Sequence, residues 1–158
     1  MNKRQFKEIN KIKDWKKIVI DSPTMWPKTT HVDLEEPFVD DRGYIQHLVN
    51  TPMKNIALIK SVTGAVRANH YHLEDWHYMY MLDGEAEYHY RAHGSDESPK
   101  VVMWRKGELV FTPPMEEHTT IFTQDSTFLA MSRNARDQET YEADVRRVEL
   151  VDPNNIKL

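Results

Sequence analysis

A chain of 158 residues has the length of one compact domain, and at 39% apolar content it can fill one core while leaving much of itself to surface and loops. A net charge of −4 gives no reason to expect nucleic acid; the absence of cysteine excludes a disulfide framework and leaves any metal to His, Asp or Glu. No apolar run approaches the ~18 residues of a membrane span, and the basic N-terminus lacks the continuous apolar stretch of a signal peptide, so the expectation is a cytoplasmic protein with no membrane partner.

Residues 3–17 read as a helix, with Phe6, Ile9 and Ile12 recurring at spacings of three between lysines and arginines. One apolar stripe would pack on the domain; the basic side is a solvated face or a docking face for an anionic partner. "IVI" (18–20) and the Pro-containing "DSPTMWPKTTHVDLEEP" follow as an irregular arm. The chain thus divides into a helix and extended arm (1–37), a main domain (38–152) and a tail (153–158).

From Val39 onward the pattern is of short strands rich in β-branched and aromatic residues, from "GYIQHLV" through "NIALIKSV", "AVRANHYH" and "HYMYMLDG" to "STFLAMSR" and "DVRRVELV". Gly, Pro, Asp and Asn punctuate them at intervals of about ten residues. Asp83-Gly84 predicts a hairpin turn. About ten strands with no helix between them predict an all-β antiparallel sandwich or barrel.

Three of the eight histidines fall within eight positions, at His70, His72 and His77. On a strand His70 and His72 share a face. His77 opens the next strand, and His118 opens another after the turn "PPMEE". A barrel can bring the four imidazoles to one point in its mouth, where neutral imidazole is a ligand for Zn, Mn, Fe and other first-row ions. The plainer alternative is four strand histidines without a metal. His31, His47, His89 and His93 lack such company.

These residues resemble the cupin superfamily, which implies a double-stranded β-helix, or jelly-roll, barrel. The first cupin motif fits as Gly64, His70, His72, His77 and Gly84, with His77 where glutamate is usual; the second fits as Gly107, Pro113, Met115, His118 and Phe122, without its second glycine and final asparagine. The resemblance covers about residues 38–132. It implies metal ligands at His70, His72, His77 and His118, a set similar to that of small manganese-binding cupins with four histidines. It also implies a homodimer formed through exchanged or packed edge strands.

A narrower resemblance points to carbohydrate chemistry. "PFVDDRGYIQHL" looks like the F-x-D-x-RG opening strand of sugar-nucleotide epimerases and keto-isomerases. "GAVRANHYHLEDWHYMYMLDGEAEYHYR" is similar to the metal-binding cupin domain of capsular-polysaccharide sugar-nucleotide epimerases. The implied activity is epimerisation or isomerisation of a nucleotide-linked keto-sugar with a divalent Zn, Mn or Fe ion. Arg42 and Arg67 are the candidates for binding substrate phosphate. The base is not assigned, and a tyrosine among Tyr44, Tyr71, Tyr78, Tyr80, Tyr88 and Tyr90 could serve as the acid. Two other readings stand beside it. One is an Fe- or Mn-dependent oxygenase, which a floor of Met79 and Met81 would suit; the other is a non-catalytic small-molecule-binding cupin.

Overall fold

The computed structural model describes residues 21–158. The expected helix at 3–17 and the segment 18–20 lie outside the described residues. The arm makes one 3-10 turn at Pro23–Met25 and then strand β1 (His31–Val32). Among the described residues, strands β2 (Phe38–Asp40) and β3 (Gly43–Ile45) pair only with each other, as an exposed hairpin. The barrel strands follow: β4 (Asn55–Ser61), β5 (Val66–His72), β6 (His77–Asp83), β7 (Glu85–Ala92), β8 (Lys100–Arg105), β9 (Leu109–Thr112), β10 (Glu116–Phe122) and β11 (Ser126–Ser132). Helix α1 (Gln138–Asp144) and strand β12 (Val145–Arg147) complete the order, with a last 3-10 turn at Pro153–Asn155.

These strands form two five-stranded antiparallel sheets, β1-β9-β6-β11-β4 and β12-β5-β10-β7-β8. The expected all-β jelly-roll architecture is the one observed. Side-chain alternation explains why the sheets close on each other. In β4, Ala57, Ile59 and Ser61 face in, while Ile56, Leu58 and Lys60 face out. In β6, His77, Met79 and Met81 are buried on one face. Met79, Met81, Ala86, Tyr88, Trp104, Val110, Phe122 and Phe128 make one core between the sheets. Each large side chain there contributes about 1.5–3 kcal/mol of burial.

Three sequence-based expectations change. The turn at Asp83-Gly84 is not a hairpin: β6 and β7 belong to different sheets, and Gly84 is the corner at which the chain crosses over. Its φ is +98°, and a Cβ there would collide with Ser126 Oγ and the Asp125 carbonyl, so glycine is required by both backbone and space. The "DVRRVELV" strand shrinks to three residues. Before it stands a helix that apolar periodicity does not reveal, because α1 buries no residue and is started by its cap, the Asp137 carboxylate accepting from Thr140 N–H at 3.0 Å. Among the described residues, no helix is long and apolar enough to cross a membrane.

Candidate metal centre

His70 and His72 lie at the end of β5, and His118 near the start of β10, in one sheet; His77 starts β6 in the facing sheet. His118 pairs directly with His70. The ring centroids of His70 stand 4.8 Å from those of His72 and 4.7 Å from those of His118; those of His77 stand 5.6 Å from His72 and 5.1 Å from His118. All four rings are therefore neighbours. His70, His72 and His118 offer ligand atoms within 4.8 Å of one another, whereas His77 is not in that close set.

An irregularity in β5 sets up this geometry. Ala68 and Asn69 have positive φ, +75° and +56°. Across from them the register steps from His118↔His70 to Thr119↔Ala68, which leaves Asn69 as a one-residue bulge. A bulge shifts the alternation by one. Arg67 would otherwise face away from His70; it now stands opposite Thr120 and lines the same cavity as His70. The Asn69 amide secures the bulge. Its Oδ1 accepts from Thr119 Oγ1 and from Leu150 and Val151 N–H, and its Nδ2 donates to the Val151 carbonyl at 2.9 Å.

Hydrogen bonds fix the state of two rings. His72 Nδ1 lies 2.8 Å from Asp144 Oδ2. A carboxylate only accepts, so Nδ1 carries the proton and Nε2 presents a lone pair. His118 Nδ1 donates to the Glu116 carbonyl at 3.0 Å, with the same result. A carboxylate behind an imidazole is the usual support of a metal-binding histidine. Asp144 also accepts from Glu74 N–H at 2.8 Å, so it is itself held. Burial is the main force that lowers the imidazole pKa values, to about 2 for His70 and about 3 for His118, and well below the ordinary value for His77; neighbouring imidazoles add to it. In His72 the burial effect is opposed by Asp144. The rings are thus neutral, the form that binds metal. Two buried nitrogens, His72 Nε2 and His77 Nδ1, have no hydrogen-bond partner among the described residues. Neutral imidazoles with unpaired buried nitrogens fit a divalent transition ion.

The cluster opens on a cavity of about 450 Å³ between the sheets. His70, His77 and His118 line it, together with Arg67, Arg136 and Tyr141. Met79 lines it, but Met81 is fully buried in the core beneath. Tyr141, on α1, brings its hydroxyl to 3.5 Å from His70 Nδ1. Burial raises the Tyr141 pKa, against the opposing pull of Arg136 and Arg147. The Arg136 guanidinium stacks 5.1 Å above the Tyr141 ring and pairs with Asp75, which is 2% exposed, at 2.9 Å. Arg42 is elsewhere, on the exposed hairpin, paired with Asp40. Sequence reasoning missed Asp144, Arg136 and Tyr141. No spacing rule connects them to the histidines; the cap at Asp137 was the one local sign of the helix that delivers Asp144 and Tyr141.

No protein-family model and no curated protein matches the chain. Solved structures do. A dTDP-4-dehydrorhamnose 3,5-epimerase from Sulfolobus tokodaii superposes with a TM-score of 0.59 at 15% identity, over 78% of this chain and 86% of that one. The fold is the cupin jelly roll. A 3,4-ketoisomerase from Helicobacter canadensis shares this cupin architecture with a TM-score of 0.58 at 18% identity, over 74% of this chain and 92% of that one. The sugar 3,4-ketoisomerase QdtA from Thermoanaerobacterium thermosaccharolyticum, solved with TDP, gives 0.57 at 16% identity, over 71% and 82%. At such identities the likeness carries the cupin fold alone. The chemistry has to come from the site.

Proposed function

We propose that this cupin is an isomerase or epimerase that moves a proton beside the carbonyl of a nucleotide-linked keto-sugar, with a divalent Zn, Mn or Fe ion held by His70, His72, His77 and His118. The observation that carries the reading is the pair of unpaired buried nitrogens, His72 Nε2 and His77 Nδ1. Left alone, each costs about 1–3 kcal/mol; a cation that both ligate offsets that cost. Such an ion, when bound, polarises a carbonyl oxygen and stabilises the enolate formed on proton removal. The chain supplies the rest. Asp144 holds the His72 ring, and the Tyr141 hydroxyl at the cavity wall, kept protonated by burial, is the acid that returns a proton to the substrate, held in place by Arg136 stacked on its ring. Arg67 binds the substrate's anionic group. The activities named for the structural neighbours, ketoisomerases and epimerases of sugar nucleotides, support the reaction class.

A homodimer belongs to the same proposal. Phe38, Val39, Tyr44 and Ile45 on the hairpin are 56–73% exposed, an apolar patch that a second copy would cover. Arg42 lies beside that patch and reaches a substrate only across such an interface.

One observation favours a second, metal-free reading. The 2.8 Å contact of His72 with Asp144 is also the arrangement of a general base and its orienting carboxylate. Metal analysis of the protein as purified separates the two. Stoichiometric metal, with deuterium entering a nucleotide-linked keto-sugar in D₂O, supports the metal-dependent isomerase; exchange without metal supports the dyad. Loss of exchange in Tyr141→Phe at unchanged metal content is expected. Oxygen uptake on Fe²⁺ reconstitution without any exchange would overturn both in favour of an oxidative cupin.

A further inference from the structure

The cavity has an asymmetry that sugar isomerisation does not require. Among its described lining residues are two arginines, Arg67 and Arg136, and no Asp or Glu. The two are not equivalent. Arg136 is paired with the buried Asp75 carboxylate. Arg67 meets only neutral acceptors, Nε donating to Ser61 Oγ at 2.6 Å and Nη2 to the Lys60 carbonyl at 3.0 Å; its Nη1 makes no hydrogen bond among the described residues. A guanidinium with free N–H groups, beside a cavity without counter-charge, is a place for an anion.

Its position relative to the histidines limits what that anion is attached to. Ser61, which holds Arg67, lies opposite Ser126 at one end of the β4–β11 ladder; Ser132, which accepts from Arg136 Nε, lies opposite Asn55 at the other. That ladder is about 20 Å long at ~3.3 Å per residue, but on the facing sheet His70 pairs with His118 and Arg67 with Thr120, two residues on along β10, so the backbone separation there is about 7 Å and the Arg67 side chain adds its own length. His77 pairs with Ser132, so the histidine cluster belongs to the Arg136 end. Between the ends the wall formed by β4, β6 and β11 is Ala57, Ile59, Met79, Phe128 and Ala130, while the facing β10 adds Thr120 and Phe122. Hydroxyl groups laid against the β4, β6 and β11 wall would lose water and find no partner on it, whereas methylene groups or an aromatic ring would be favoured there.

We propose that the cavity takes amphipathic oxo acids: a carbonyl at the histidine cluster, a carboxylate at Arg67 and an apolar segment between them. The proposal rests on the histidine cluster being the reacting end, and goes beyond the sugar reading by naming a second substrate class.

The test is isothermal titration of the full chain as purified with methyl-ketone carboxylates of increasing length, from 4-oxopentanoate to 10-oxoundecanoate, and with their primary amides. Affinity is expected to pass through an optimum in chain length, and the best acid to bind at least tenfold tighter than its amide. Arg67→Gln is expected to abolish that preference and Arg67→Lys to keep part of it; Ile59→Asn is expected to weaken acid and amide alike. Equal binding of acid and amide, no binding of any oxo acid, or the full preference surviving in Arg67→Gln overturns the proposal. None of these outcomes touches deuterium exchange into a keto-sugar, so either reading can fail while the other stands.

Discussion

Asp144 does more for the candidate centre than its place outside the barrel strands implies. Its carboxylate accepts the hydrogen bond from His72 Nδ1–H and so fixes which nitrogen faces the cluster. Replacing it with alanine leaves that ring free to change tautomer, and metal affinity is expected to fall about 10–100-fold, as read by competition with a chelator. Unchanged affinity would show that the contact is incidental. Gly84 makes a structural counterpart. Gly84→Ala forces a Cβ against Ser126 and Asp125 at a φ of +98°, and a loss of about 2–4 kcal/mol in denaturant unfolding is expected. Sequence spacing made His70, His72, His77 and His118 visible because ligand pairs on strands keep a fixed interval. It did not make Asp144 visible, because a supporting carboxylate obeys no interval; its distance along the chain is set by the fold. Tyr141 was passed over for a related reason: the other tyrosines stood in recognisable strands, whereas its helix had no apolar stripe.

At the scale of elements, β5 shows how one residue redirects a strand. Strict alternation would send Arg67 to the outer face; the bulge at Asn69 brings it to the rim of the cavity opposite Thr120, where it remains exposed. Alternation was a sound guide elsewhere. Tyr71 does face away from the histidines, stacking on His93 at 4.0 Å, and Tyr78 packs on Trp76 and Phe111. A bulge is invisible to a period of two unless a turn residue announces it, and Asn69 sat inside an otherwise ordinary strand pattern. Asn69→Ala removes a side chain that takes part in four hydrogen bonds and suits a left-handed backbone. A loss of about 2–4 kcal/mol is expected. Amide protection should fall first at Leu150 and Val151, which hydrogen exchange would detect; uniform loss across the barrel would argue against a local staple. The sheet-crossing at Gly84 was likewise misread from sequence, since Asp-Gly marks a tight turn without saying whether the strands it joins pair.

For the whole molecule, the strand count, the turn spacing and the two sheets were legible, because β-branched and aromatic runs between turn residues report strands however they are arranged. The homodimer is an expectation from resemblance alone. The hairpin β2–β3 leaves Phe38, Val39, Tyr44 and Ile45 exposed beside a barrel that buries its other aromatics well. Sedimentation is expected to show a dimer, and the double variant Tyr44→Ser, Ile45→Ser a monomer with its fold intact; a wild-type monomer at micromolar concentration would sink the dimer. The Asp144 contact has one more consequence, in time rather than in space. A chain grows from its N-terminus at about 5–20 residues per second. His118, the last of the four clustered histidines, emerges twenty-six residues before Asp144. The strands that carry the imidazoles can therefore meet while the His72 ring is still without its anchor. The proposed ligands are thus made before the residue that orders them, so a nascent chain stalled between those positions would hold all four and still lack the carboxylate that orients His72.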